Sequence, residues 1–555
     1  MPTANRISQN ILTRLDKSML DQFYSAGSWD TLSIYDAAAR HAARTSVAIR
    51  DGGATLSYGD LLDLADELAA DLRAAGLRAG DRVAAWLSSR VEVAVFLLAC
   101  SRSGFIFCPS LHRNHTVDEI RDLLVRMRAR AFVGEVGYGA DADTCDIFSE
   151  VQRLPQVIRT YRLDAPGRRS ARDIGKTLGL GGGSASVPAG QSDDIVYLAF
   201  TSGTTGEPKG VMHSNNTLLA NARSLREDWT FTEDSVVYTL SPLSHNLGFG
   251  ALILTLLSGG QIVLHDLPRG SSLLARLRET GTTFVFGVPA HAMDLLDEIR
   301  RSGAANLDTL KGFRISGAAA PSSVVEALLS YGVIPQSGFG MTEAGSHHYT
   351  LPGDDSDHII NTSGRACASY EVQIFSLDDP DVQVPAGEVG QIGGRGASLM
   401  LGYFGDQRAT ESAFNSDGWF MTGDLGVLDE DGYLRITGRI KDIIIRGGHN
   451  IHPARIELLA MRHPQVERAA AIGIKDPRLG EKVCIVVMTR DRGRIDAQDV
   501  LSHLHAQGLS KFDMPEYFLQ VDEIPLGASG KILKRALLPF IADGSMKPEP
   551  VRWRG

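Results

Sequence analysis

The sequence predicts an α/β protein. A large N-terminal domain of parallel-rich, helix-covered sheets carries a small β subdomain, and a small α+β domain follows, with the division at 1–440 and 441–555. Three observations predict this. Short β-rich runs alternate with helix-period segments through most of the chain, the rhythm of parallel strands joined by covering helices. After about residue 365 the rhythm gives way to short strands and Gly-rich turns. After Lys441 it changes again, to one helix and two extended runs.

The elements run in order along the chain. Residues 60–73 place Leu61, Leu64, Ala65, Leu68 and Leu72 on one helical stripe. A strand is expected at 82–87 and a helix at 91–99. Thr116 and Glu119 have capping-box spacing before a helix at 120–127. Further strands are expected at 195–200, 236–240, 261–265, 283–288 and 312–316, with helices between them. The run from Gly181 to Gly190 reads as a linker between two α/β layers. Short strands are expected at 371–375, 389–393 and 433–437, then a helix at 453–462 and extended runs at 466–474 and 483–488.

Composition sets limits. The 555 residues are 43% hydrophobic and 22% charged, which excludes disordered and collagen-like chains. At about 150 residues per domain the length suggests three or four structural units. The net charge of -10 disfavours a nucleic-acid partner. Five well-separated cysteines without CxxC read as reduced core residues. No apolar run is long enough to span a bilayer and the first residues lack a signal-peptide core, so a cytoplasmic protein is expected.

The chemistry concentrates in Thr201-Ser202-Gly203-Thr204-Thr205-Gly206-Glu207-Pro208-Lys209-Gly210, directly after an expected strand. Gly203 and Gly206 let backbone N–H groups converge on one concavity, which suits phosphate oxygens. The hydroxyls add neutral donors and Lys209 a point charge. The loop is not Walker A, which needs four residues between its glycines and Ser or Thr after the Lys. A plain Gly/Ser/Thr surface turn is the alternative.

This string resembles the phosphate-binding signature of the acyl-adenylate-forming superfamily: acyl- and aryl-CoA synthetases, peptide-synthetase adenylation domains and luciferase. The resemblance runs from Leu56-Ser57-Tyr58 to Ser529-Gly530-Lys531, with its motifs in the family's order. It implies that the β subdomain is a small barrel and that the C-terminal domain is mobile. It implies an adenine wall at Gly317, Ala318 and Ala319, although Ser316 to Pro321 also suits a tight strand-to-helix turn. In Gly338-Phe339-Gly340-Met341-Thr342-Glu343 it implies a stacking ring at Phe339, where the family usually has Tyr, with Gly340 and Met341 beside the nucleotide. Thr342 would meet the α-phosphate and Glu343 would hold Mg²⁺. Asp424 and Arg439 would hold the ribose, Lys441 would be an interdomain hinge, and Lys531 would complete the site for the first half-reaction. Gly447, Gly448 and His449 would face CoA in the second.

The same resemblance puts the acid beside His245, Asn246 and Phe249. The Asp that amino-acid-activating members use to pair an α-ammonium is absent, and a buried unpaired ammonium is costly. Asn246 resembles aryl-acid members, but Gly250 and Ala251 stand where an ortho-phenol would be read. Gly287, Ala318 and Gly338 are small enough to leave room for an unsubstituted aryl, alicyclic or medium-length aliphatic tail.

The activity implied by this resemblance is ATP-dependent activation of a small carboxylic acid as acyl-AMP, then transfer to CoA as co-substrate, giving acyl-CoA, AMP and pyrophosphate. The alternatives are a free-standing aryl-acid adenylating enzyme that loads a carrier-protein thiol, and a non-catalytic nucleotide-binding relative. A homodimer is compatible with the resemblance; a membrane is not an expected partner.

Overall fold

The computed structural model describes residues 15–43, 45–181, 189–201, 208–268, 270–303, 306–317, 321–526 and 532–553. Two large sheets organise the N-terminal part. The first runs Gly402–Tyr403, Lys209–Ser214, Ile195–Thr201, Ile106–Cys108, Arg82–Trp86, Ala129–Glu135, Arg159–Leu163. The second runs Arg365–Ala366, Gly345–Tyr349, Ile334–Met341, Gly312–Ile315, Phe284–Gly287, Val236–Thr239, Gln261–Leu264, Val47–Arg50, Thr55–Ser57. Their interiors are parallel, as the alternating rhythm predicts. Three of their four margins are antiparallel, while the Arg159–Leu163 edge of the first sheet stays parallel to its neighbour.

Strand alternation shows how the layers stack. Val83 and Ala85 join one core while Ala84 and Trp86 join another. Likewise Phe284 and Phe286 share the first core while Val285 faces a third. Both sheets therefore bury both faces, as parallel sheets must. The shared core holds the helices Tyr58–Ala74, Glu92–Ser103, Asn215–Asp228 and Asn246–Ser258. In Glu92–Ser103 every residue but Arg102 is buried, which suits a helix enclosed on all sides. Truncating a side chain such as its fully buried Leu97 to Ala should cost about 2–5 kcal/mol.

Thr116 caps its helix with Glu119 as expected. Ser33, Ser57 and Ser170 build the same box with Asp36, Asp60 and Asp173, a shorter acid than the Glu or Gln of the usual pattern. Four cysteines are buried; Cys145 is exposed, against the expectation that all five lie in the core. Of the Gly181 to Gly190 linker, residues 182–188 lie outside the described residues.

The β subdomain is a four-stranded antiparallel sheet, Tyr370–Phe375, Gly390–Gly396, Phe420–Leu428, Leu434–Arg439. No ladder among the described residues closes its outer strands on each other into the expected barrel; Ser363 and Gly364 instead bond the backbone of Leu434. The C-terminal sheet pairs Val466–Asp476 with Gly480–Thr489 and adds Tyr517–Gln520 in parallel. The helices Pro453–Ala460 and Ala497–Ala506 cover it, and its principal core draws only on residues from Ile444 onward.

Candidate functional site

The phosphate-loop string bridges an antiparallel hairpin. Thr201 ends one strand, Lys209 begins the next, and the two are cross-strand partners. Ser202, Gly203, Thr204, Thr205 and Gly206 lie outside the described residues. The Lys209 ammonium sits 4.6 Å from the ring centre of Tyr403. The Tyr403 hydroxyl donates to Glu343 Oε1 at 3.1 Å. Burial pushes the Glu343 carboxyl above its ordinary range, Asp424 adds to this, and Tyr403 and Lys209 oppose it. Glu343 thus feels the charges of both Lys209 and Asp424.

The Gly-rich motif, for which the sequence predicts no element, lies largely in a strand. Gly338, Phe339, Gly340 and Met341 lie in Ile334–Met341, which pairs first in parallel with Gly312–Ile315 and then as a hairpin with Gly345–Tyr349. Side chains cannot crowd there: a Cβ on Gly340 would meet Gly345 O at 2.3 Å. Phe339 packs edge-on against His347 at 5.1 Å. The Thr342 carbonyl accepts from His213 Nε2 at 2.7 Å, while His213 Nδ1 meets Thr217 Oγ1 at 3.0 Å. Burial lowers His213 to about 4, so its ring is neutral and holds this turn by hydrogen bonding. Gly317 follows the strand Gly312–Ile315 with φ +89°, a conformation favouring glycine. Ala318 and Ala319 lie outside the described residues.

Asp424 and Arg439 face each other across two strands of the β subdomain, with Arg439 Nε 2.7 Å from Asp424 Oδ1. Asp424 is buried and Arg439 exposed, so the pair opens toward solvent from its arginine side.

Among the residues expected to border the acid, His245 stands at the N-cap of the helix Asn246–Ser258 and stacks on His112, centroids 5.1 Å apart. His112 Nδ1 meets Ser244 Oγ at 3.1 Å. Burial lowers His245, and lowers His112 to about 3 with help from His245 and His115. Asn246 donates to the Met341 carbonyl at 3.2 Å, tying this helix to the strand that carries Phe339. Phe249 is fully buried, stacked on Tyr197 at 4.4 Å. It also walls a slot of about 20 Å³ with Asn246, Gly250, Asn221 and Ser346, room for about one water. Gly287 ends its strand with Phe313 and His291 in the space a Cβ would take. Gly338 stands beside Arg314.

Lys441 lies in a single 3₁₀ turn, Ile440–Asp442, between the last strand of the β subdomain and the C-terminal sheet. Burial lowers its pKa, as do the charges of Lys209 and Arg535. Gly447 and Gly448 turn the hairpin of Ile444–Arg446 with His449–Ile451, at φ +59° and +86°. His449 pairs with Asp513 at 2.8 Å in the small domain itself. Lys531 lies outside the described residues.

Sequence reasoning missed Tyr403, His213, His112 and Arg314. Tyr403 is 60 residues from Glu343 and His213 is 129 from Thr342, so local spacing carries no signal for them.

The model of the AMP-binding enzyme family matches residues 34–404, and that of the AMP-binding enzyme C-terminal domain matches residues 455–531. The chain belongs to the AMP-binding enzyme family. It is 32% identical over 491 residues to a feruloyl-CoA synthase of Amycolatopsis sp, covering 88% of this chain and 94% of the relative. A medium-chain fatty-acid–CoA ligase of Escherichia coli (strain K12) is 30% identical over 493 residues, covering 88% and 86%. ATP-bound MatB from Rhodopseudomonas palustris superposes with a TM-score of 0.80 at 28% identity, over 92% of this chain and 99% of that one. The class is that of the AMP-forming acid–CoA ligases, and the mixed α/β fold with large and small domains is the one expected.

Proposed function

We propose that the chain activates an aryl, alicyclic or medium-chain carboxylic acid with ATP and transfers the acyl group to CoA. The acid's oxygen attacks the α-phosphorus of ATP, a new O–P bond forms, and the bond to pyrophosphate breaks. The thiol sulfur then attacks the acyl carbon and AMP leaves. Neither step needs a protein nucleophile; both need positioning and charge neutralisation. The observation that carries the reading is the hairpin that sets Thr201 opposite Lys209, with Lys209 over Tyr403 and Tyr403 bonded to Glu343.

In this reading Thr201 to Lys209 hold the β- and γ-phosphates and Thr342 the α-phosphate. Phe339, with Gly317 to Ala319, flanks adenine, and Asp424 with Arg439 takes the ribose. Glu343 suits Mg²⁺: it is a half-buried carboxylate bonded to a neutral phenol, and the cation would neutralise charge on the phosphates. One carboxylate would then share the cation with the nucleotide's phosphates. His245 and Asn246 border the acid. The domains divide at 440/441 and turn about Lys441, exchanging Lys531 for the Gly447–Gly448–His449 hairpin between half-reactions.

Small molecules are the partners, and the expected compartment is the cytoplasm; no helix among the described residues is long and apolar enough to cross a membrane. The test is a panel of benzoic, alicyclic, phenylpropanoid and linear acids, assayed for AMP release with and without CoA. AMP and an acyl-CoA are expected. ADP alone, or thioester formation only on a carrier protein, overturns the assignment. Lys531→Ala should slow acyl-AMP formation at least about 100-fold while sparing thioester formation from supplied acyl-AMP; equal loss of both steps refutes the domain exchange.

A further inference from the structure

We infer that Arg314 is a specificity-determining residue at the far end of the acid cavity. The acid it selects carries an oxygen acceptor, a second carboxylate foremost, opposite the carboxylate that is activated. The inference rests on the acid–CoA ligase reading above.

Arg314 is 0% exposed, in the middle of the second sheet, with Phe286 and Gln336 as its partners in register. Its neighbours Phe313 and Ile315 face the outer core, so its side chain enters the layer shared by the two sheets. There Nη1 donates to Gln336 Oε1 at 2.5 Å and the guanidinium lies 5.6 Å from the ring centre of Tyr349. Nε and Nη2 reach no acceptor. No carboxylate among the described residues pairs with it; the acidic groups whose charge reaches it are those of Tyr349 and Cys367. Burial lowers its pKa only to about 10, so at neutral pH it is a cation. A buried cation without an anion is among the costliest arrangements a fold can hold.

Its position connects it to the acid side. A Cβ on Gly338 would come within 2.7 Å of Arg314 Nη2, so the guanidinium tip lies just behind the strand that carries Phe339. Ser346, in the wall of the slot, is followed by His347 and His348, both fully buried. Each of these imidazoles leaves Nε2 without a partner, as does Nε2 of Gln336. Burial lowers both histidines, and the charges of His348 and Arg314 lower His347 further, so the rings stay neutral. One cation and several idle donors or acceptors thus stand together without an anion. A substrate oxygen is the ligand that completes them, and a ligand that lacks it leaves them unpaired.

The experiment uses the full chain and matched acids: benzoate against terephthalate, octanoate against octanedioate, and 4-acetylbenzoate as the neutral-acceptor arm. kcat/KM for acyl-CoA formation is measured in the wild type, Arg314→Met and Gly338→Ala; the added methyl of the last presses on the guanidinium tip and on the backbone carbonyl of His348. The wild type should favour an acid bearing the distal acceptor. Both substitutions should lower the acceptor-to-plain ratio about tenfold or more. Preference for 4-acetylbenzoate over terephthalate supports the inference with a carbonyl as the ligand; the reverse supports it with a carboxylate. A wild type that favours the plain acids, or a ratio that neither substitution moves, overturns the inference and leaves the ligase reading standing. No AMP release with any acid overturns both. Should neither variant fold, the wild-type ratios decide.

Discussion

Two buried guanidinium groups in this molecule have opposite surroundings. Arg90, 3% exposed, grips Glu92 through two nitrogens at 2.9 Å and reaches Glu135 at 3.2 Å. Arg169 closes the other side, bonding both Glu92 oxygens and Asp51. Here segments distant in the sequence are stapled by charges that satisfy one another. Arg314 has Gln336 and a ring face, and nothing anionic. Glu343 stands nearer to Arg314 in kind: its carboxylate has a phenol as partner and a lysine only at a distance. The difference separates charges that close the fold on itself from charges that the fold leaves for something it binds.

Four substitutions test that separation, starting with the largest effect. Glu343→Gln should cut pyrophosphate exchange by about 100- to 1,000-fold, while the urea midpoint stays level or rises; a variant that unfolds more easily places Glu343 among the structural charges. Glu92→Gln should do the reverse, lowering unfolding free energy by about 3–5 kcal/mol because two buried arginines lose their partner. That loss should depend on pH. Burial alone would raise Glu92, but Arg90 and Arg169 hold it at about 2 against an ordinary 4.5. Between those values the unfolded chain takes up a proton that the folded chain refuses, so the wild type loses stability as pH falls through this window. The gap to the variant should close there; a gap that is constant from pH 7 to 3 breaks the account. Asp424→Asn should raise KM for ATP about tenfold, the value of a hydrogen bond to a charged group, and leave KM for the acid unchanged. Arg314→Met should leave unfolding free energy unchanged or raise it by about 1 kcal/mol, since removing an unpaired charge relieves its desolvation. A loss as large as that of Glu92→Gln shows that Arg314 is paired in the fold after all.

The motifs proposed for the nucleotide were visible in the sequence because each is contiguous. Lys209, Glu343, Asp424 and Arg439 each sit in a short motif of small and polar residues; one ladder joins Asp424 to Arg439, while the charges of Lys209 and Asp424 reach Glu343 from separate sheets. The alternation of strands and helices was legible for the same local reason. The illegible parts depend on context. The strand at Gly312–Ile315 was legible, but the burial of its Arg314 was not, because it follows only from a sheet covered on both faces. Tyr403 and His213 act on residues far along the chain, and nothing in their own neighbourhoods marks them. No strand was expected at Ile334–Met341, and its glycines are explained by close backbone approach to the Gly345–Tyr349 strand.

The pairing of Thr201 with Lys209 carries a consequence for how this loop can vary. Side chains alternate along a strand, so an odd insertion or deletion that is absorbed by sliding the Lys209–Ser214 strand one step would turn its ammonium to the opposite face. The length of the segment between these two residues is therefore constrained in its parity, besides whatever its composition must supply.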